Sequence, residues 1–96
     1  MATTEGPPRD AIDIVDVMAA LGNRRRLEIV AALADGQERT CGVLRGQTPK
    51  STMTHHWRTL RDAGVIWQRP HGREHMLRLR REDLEARFPG LLDAVL

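Results

Sequence analysis

The chain has 96 residues, 41% of them hydrophobic and only 3% aromatic, which suits one small domain with an aliphatic core and excludes disorder as the default. No apolar run approaches membrane-spanning length, and the first eight residues lack the basic and apolar regions of a secretion signal. The single cysteine, Cys41, excludes an internal disulfide and fits a reducing cytosol, so a cytoplasmic protein is expected.

Residues 1–9 hold two prolines and a glycine with no apolar period, and read as a flexible leader to a single domain over 10–96. A first helix is expected from Asp10, with Ile14, Val15, Met18 and Leu21 as its apolar stripe and Gly22 as its stop. Asn23 is placed to cap a second helix, whose stripe is Leu27, Val30, Ala31, Leu33 and Ala34 and which ends at Gly36. Arg24, Arg25 and Arg26 fall in its first turn, where positive charge opposes the macrodipole. An acidic neighbour or a solvated face explains that run better than a phosphate contact.

Thr40 can cap a short third helix, Cys41 to Arg45, that stops at Gly46. Thr48 then reads as an N-cap, with Pro49 at the first position of a fourth helix. Met53, Trp57, Leu60 and Gly64 set its inward stripe and leave Lys50, Ser51, Thr54, His55 and Arg58 on the opposite side. Two β-favourable stretches, Val65–Arg69 and Glu74–Arg80, flank a turn in which Gly72 supplies the positive φ. Asp83 to Leu96 reads as a short helix, a break near Phe88 at Pro89, and a terminal turn. The predicted fold is mainly α with a small β-hairpin: a winged helix-turn-helix in the order α-α-α-α-β-β-α.

The net charge of +2 is unevenly distributed along these elements. Residues 1–20 and 82–96 each carry −3, residues 21–49 carry +2, and residues 50–81 carry +6 from eight bases and two acids. A helix with small hydrogen-bonding residues outward, followed by a basic hairpin, is how a small domain reads a major groove and clamps phosphates. Ser and Thr hydroxyls can donate or accept at base edges, His55 can donate to a guanine N7 or a phosphate, and Arg58 and Lys50 can reach either. Arg69, His71 and Arg73 cluster at the wing tip, and Arg78, Arg80 and Arg81 continue the positive strip. Arginine outnumbers lysine fourteen to one, which points to a GC-rich bacterial source.

Other chemistries find less support. His55 and His56 are consecutive on a helix and point about 100° apart, and no set of four ligands forms around His71 and His75. No metal or other cofactor is expected. No nucleophile–base or paired-carboxylate arrangement is visible, so the chain reads as a non-enzyme. Cys41 is a candidate thiol or redox sensor if Arg39 and a helix N-terminus lower its pKa, but a small packed residue is the commoner role. A winged helix used for protein contact, with Trp57 or Trp67 as an exposed anchor, is the rival class.

Three segments carry a resemblance: Ala20-Leu21-Gly22-Asn23 through Val30, Ser51-Thr52-Met53-Thr54-His55-His56-Trp57-Arg58 through Ile66, and Gly72-Arg73-Glu74 ahead of Leu77-Arg78-Leu79. Together they resemble the ArsR/SmtB winged-helix repressors over about residues 11–84. The resemblance implies a homodimer paired through first and last helices, bound to a palindromic operator on double-stranded DNA. It implies base contacts from Lys50, Ser51, Thr52, Thr54 and His55, and wing contacts from Arg69 and Arg73. The dimer seam would fall on Ile14, Val15, Met18, Leu91, Leu92 and Val95. The chain departs from the family's metal sensors, because Cys41 is followed by Gly42 and the last helix has no histidine. Metal sensing is therefore not implied, and an effector stays unassigned. A proline common near the start of the second helix is replaced by Arg24 or Arg25, a change expected to be neutral.

Overall fold

The computed structural model describes residues 4–96. Six helices and a three-stranded antiparallel sheet follow a 3-10 turn at Arg9–Ala11. The helices are α1 (Ile14–Leu21), α2 (Arg24–Ala32), α3 (Cys41–Arg45), α4 (Lys50–Ala63), α5 (Arg81–Arg87) and α6 (Leu91–Val95). The strands are β1 (Arg39–Thr40), β2 (Ile66–His71) and β3 (Glu74–Leu79), ordered β1-β3-β2.

The caps explain most of these boundaries. Asn23 accepts from the Arg26 N–H at 3.0 Å and Thr40 from the Val43 N–H at 3.1 Å, each satisfying a donor that its helix cannot. The first helix starts later than the periodicity predicts. Asp13 caps it through the Val15 N–H at 2.7 Å, because Ile12, 1% exposed, must first turn into the core. Thr48 is not the cap of α4. Pro49 takes that place without a side-chain bond, and the Thr48 hydroxyl accepts from Arg25 Nε at 3.1 Å instead. The predicted break near Phe88 is present, separating α5 from α6.

Helix α4 is the centre of the molecule. Met53, His56, Trp57, Leu60 and Ala63 face inward at helical spacing, onto a core that includes Val17, Ile29, Val30, Val65, Leu77 and Leu84. Burial of each large aliphatic side chain there stabilises by about 1.5–3 kcal/mol, which fixes the roll of α4 and so the face it shows to solvent. At its end Gly64 adopts φ +87, and a Cβ there would meet Ile12 Cγ1 at 2.6 Å, so no other residue fits without displacement.

The hairpin has the predicted strands but a third partner. Arg39 and Thr40 pair with Leu77 and Met76, so β3 is central, with the two-residue β1 at one edge and β2 at the other. The β2 edge is engaged by part of the stretch expected to fray. Glu5 and Gln68 exchange backbone bonds of 2.6 and 3.2 Å, and Arg80 NH1 donates to the Pro7 carbonyl at 2.6 Å. An edge strand's free N–H and C=O groups draw a partner, and here residues 5–7 supply it; residues 1–3 of the expected leader lie outside the described residues.

Candidate nucleic-acid interface

Four of the residues predicted to face a groove, Lys50, Ser51, His55 and Arg58, are exposed on α4, with Thr52 exposed at its first turn and Thr54 half-buried beside them. Lys50, Ser51, Thr54, His55 and Arg58 line one shallow depression together with Thr59 and Asp62. Among the described residues, no side-chain hydrogen bond or ion pair engages Lys50, Ser51, Thr52, Thr54, His55 or Arg58; Arg58 only rests 5.6 Å from the Trp57 ring. The depression closes at its far end. Thr59 donates its hydroxyl to the His55 carbonyl at 2.9 Å, and the Asp62 carboxylate, paired with Arg61 at 2.8 Å, would repel a phosphate. The unengaged half of α4 is therefore its N-terminal half. There, no side chain caps the first turn, and its N–H groups stay open to an anion.

At the wing tip the strands end in register, His71 opposite Glu74, with Gly72 and Arg73 between them. Gly72 has φ +61 and Arg73 does not have positive φ, the pattern of a type II′ hairpin turn. His71 and Arg73 are exposed there. Arg69 is not available in the same way. Its guanidinium is held by both oxygens of Glu38, at 2.7 and 3.1 Å, and this pairing also lowers the Glu38 carboxyl below its usual range. Arg69, expected to touch DNA, is thus engaged within the subunit by a partly exposed ion pair.

Between α3, α4 and the wing lies a cleft of about 410 Å³. Arg45, Lys50, Arg58 and Arg73 line it, together with the buried Met53 and Trp57, Cys41 and Glu74. Cys41 is poorly suited to sensing by a thiolate. Burial, and then the Glu74 carboxylate, push its thiol up to about 11, while Arg39, expected to lower it, is paired with Asp35 at 2.7 Å. Among the described residues no three His, Cys, Asp or Glu side chains are grouped to hold a metal.

Several buried polar residues were not legible in the sequence. His56, 9% exposed, faces Arg26 NH1 at 3.3 Å, and burial followed by that cation lowers its pKa. Arg26 also donates to the Ala20 carbonyl at 2.6 Å, closing the end of α1. Gln68, 2% exposed, donates to Glu5 at 2.6 Å and accepts from Arg61 at 2.8 Å, tying the N-terminal stretch, the wing and α4. Arg80 lies 3.5 Å over the Trp67 ring and pairs with Asp83 at 2.8 Å. Trp57, at 5% exposure, and Trp67, covered by Arg80, are poor anchors for a protein partner.

On the predicted seam, Ile14, Val15 and Met18 are 38%, 68% and 61% exposed, and Val95 is 38% exposed. Leu91 is half-buried against the core. Leu92 is 0% exposed and belongs to the chain's own core, so it cannot reach a second subunit without unpacking.

Comparison with known proteins decides what this geometry belongs to. Residues 21–69 match a helix-turn-helix domain family. An HTH-type transcriptional regulator of Bacillus subtilis, YceK, itself uncharacterised, is 30% identical over 82 residues, 82% of each chain. The arsenical resistance operon repressor of Staphylococcus xylosus is 30% identical over 74 residues, covering 76% of this chain and 71% of the repressor. The chain is a helix-turn-helix transcriptional regulator of the ArsR family. A solution structure of a homodimeric winged helix-turn-helix DNA-binding domain from Mycobacterium bovis, described as a possible ArsR-family regulator, superposes on this regulator with a TM-score of 0.68. It is 31% identical and covers 85% of this chain and 76% of that one. In this ArsR-family regulator α3 and α4 are thus the helix-turn-helix and β2–β3 the wing, as the sequence predicted. No helix is long and apolar enough, among the described residues, to cross a membrane.

Proposed function

We propose that the regulator is a homodimeric repressor that acts in the cytoplasm on a pseudo-palindromic operator. Each subunit lays the N-terminal half of α4 in a major groove, with half-sites about one helical turn apart. Ser51, Thr52, Thr54 and His55 meet base edges, Lys50 and Arg58 meet bases or phosphates, and Arg73 meets the flanking backbone. The observation that carries this reading is the solvent face of α4, where six polar side chains in a positive region have no side-chain hydrogen bond or ion pair among the described residues.

The dimer proposal draws support from the exposed Ile14, Val15 and Met18 of α1 and Val95 of α6. These two ends of the chain are tied together through Arg87, which donates to the carbonyls of Asp10 at 3.1 Å and Ile12 at 2.8 Å. With Leu92 in the core, the seam rests on those four side chains and the half-buried Leu91.

The test is binding to a duplex selected from a random pool. With six or more phosphates neutralised per dimer, affinity falls about three decades over a fourfold rise in salt. Arg58→Ala and His55→Ala each weaken binding by about tenfold, equivalent to 1–2 kcal/mol, with little change in Tm. A shallow salt dependence, or unchanged affinity in both variants, would put the interface on another face.

A further inference from the structure

We propose that Arg25 is a positioning residue for DNA reading: its guanidinium sets the turn that aims α4, and it is not itself a phosphate ligand. The inference rests on the groove-reading role proposed for α4. Arg25 NH2 donates to the carbonyls of Leu44 at 2.6 Å and Arg45 at 3.2 Å, the last two residues of α3. Arg25 Nε donates to the Thr48 hydroxyl at 3.1 Å, two residues before α4 begins. The Arg45 carbonyl also accepts from the Thr48 N–H at 2.9 Å. One planar group thus holds both ends of the turn between the two helices, and it does so from α2.

The Leu44 carbonyl is one that the end of a helix leaves without a backbone partner, so the fork meets an acceptor that would otherwise need water, while it shares the Arg45 carbonyl with the Thr48 N–H. Little of it remains for DNA. Nε and NH2 are engaged, NH1 lies 3.4 Å from Glu28, and the side chain is only 29% exposed. A carboxylate at that distance also discourages a phosphate from approaching. Lysine could not replace it, because a single ammonium on a flexible stem cannot span two carbonyls and a hydroxyl in fixed geometry.

Arg58 lies eight residues beyond Lys50, roughly 12 Å along the helix. A tilt of about 10° at the turn would therefore move its Cα by about 2 Å, whereas a productive contact tolerates roughly 0.5 Å. Base contacts would be lost while phosphate contacts, which are less directional, would survive. Loss of the clamp should appear as loss of discrimination.

The experiment measures binding of wild type, Arg25→Met, Arg25→Lys, Thr48→Val and Arg58→Ala to the selected duplex and to a random-sequence duplex, across a salt series. Arg25→Met is expected to bind the selected duplex 10–30-fold more weakly, the random duplex within about twofold, and with an unchanged salt slope. Arg25→Lys should stay as weak, and Thr48→Val should lose a few-fold. Recovery in Arg25→Lys would reduce the role to charge and overturn the proposal. So would a slope lower by about 0.9 per subunit with parallel loss on both duplexes, the signature of a phosphate contact. Should Arg25→Met not fold, Thr48→Val decides, and wild-type discrimination in it sinks the clamp. Arg58→Ala separates the two claims: if it too is silent, the groove-reading role of α4 fails, and if it alone weakens binding, only the clamp fails.

Discussion

The tip and the base of the wing carry the same residue type and use it in opposite ways. At the tip Arg73 is exposed beside a glycine turn. Toward the base Arg69 is held by Glu38, and Arg80 is buried between Trp67, Asp83 and the Pro7 carbonyl. The basic stretch of the sequence is therefore two populations. One is engaged inside the subunit and stabilises the platform, and the other is left free to meet an anion. Charge counting cannot separate them, since the difference lies in whether an acceptor folds back within 3 Å. Cys41 and His56 belong with the engaged population, as groups whose chemistry the fold suppresses.

The largest effect expected from this division is at Cys41. A thiol near 11 instead of 9.0 carries about 100-fold less thiolate at neutral pH. A more basic thiolate is also more nucleophilic, but burial restricts access, so alkylation by iodoacetamide at pH 7.5 should still run more than about tenfold slower in the native protein than in the same protein unfolded in urea. Comparable rates would move Cys41 into the free population and restore it as a candidate sensor.

The wing itself gives the direct test. Arg73→Ala should weaken binding to the selected duplex by about tenfold and reduce the salt slope by about one per subunit. Arg69→Ala should change affinity by about twofold or less. Its ion pair is one-third exposed on each side and screened by solvent, so its removal should barely move Tm. Equal losses in the two variants would erase the distinction between tip and base.

What the sequence made legible is what local periodicity and local chemistry determine. The inward stripe of α4, the caps at Asn23 and Thr40, and the glycine turn of the wing each depend on neighbours within about four residues. The engaged arginines do not. Arg25 binds carbonyls 19 and 20 positions away, Arg69 binds a carboxylate 31 away, and Arg80 a carbonyl 73 away. A backbone carbonyl leaves no mark in a sequence, because every residue has one. The two-residue β1 was missed for a related reason, since its partners in β3 lie 36 or more residues on and two residues show no period. Seam residue Leu92 was misplaced because an apolar side chain in a terminal helix can serve the core or a partner, and spacing alone does not choose.

The smallest effect, and the sharpest test of an engaged group, is the pH dependence of stability set by His56. Burial first, and then the Arg26 guanidinium facing its Nδ1, lower its folded pKa below the ordinary 6.5. The unfolded chain then binds more protons at this site between the two values, so stability rises with pH there. On acidification, stability begins to fall as pH drops through about 6.5, and the loss is complete below the folded pKa. The lowered carboxylates work in a lower window. Asp35, held near 2 by the Arg39 hydrogen bond, Glu38, held down by Arg69, and Asp83, where hydrogen bonds from Arg9 and Arg80 outweigh burial, contribute above the ordinary carboxylate range. Their stabilisation is lost as pH falls from the ordinary carboxylate range to their own depressed values. Between pH 7.5 and 5 the wild type should therefore lose a few degrees of Tm that His56→Gln does not lose. Parallel curves for the two proteins would mean that His56 accepts a proton in the fold as readily as in water, and that the inner face of α4 is not dry around it.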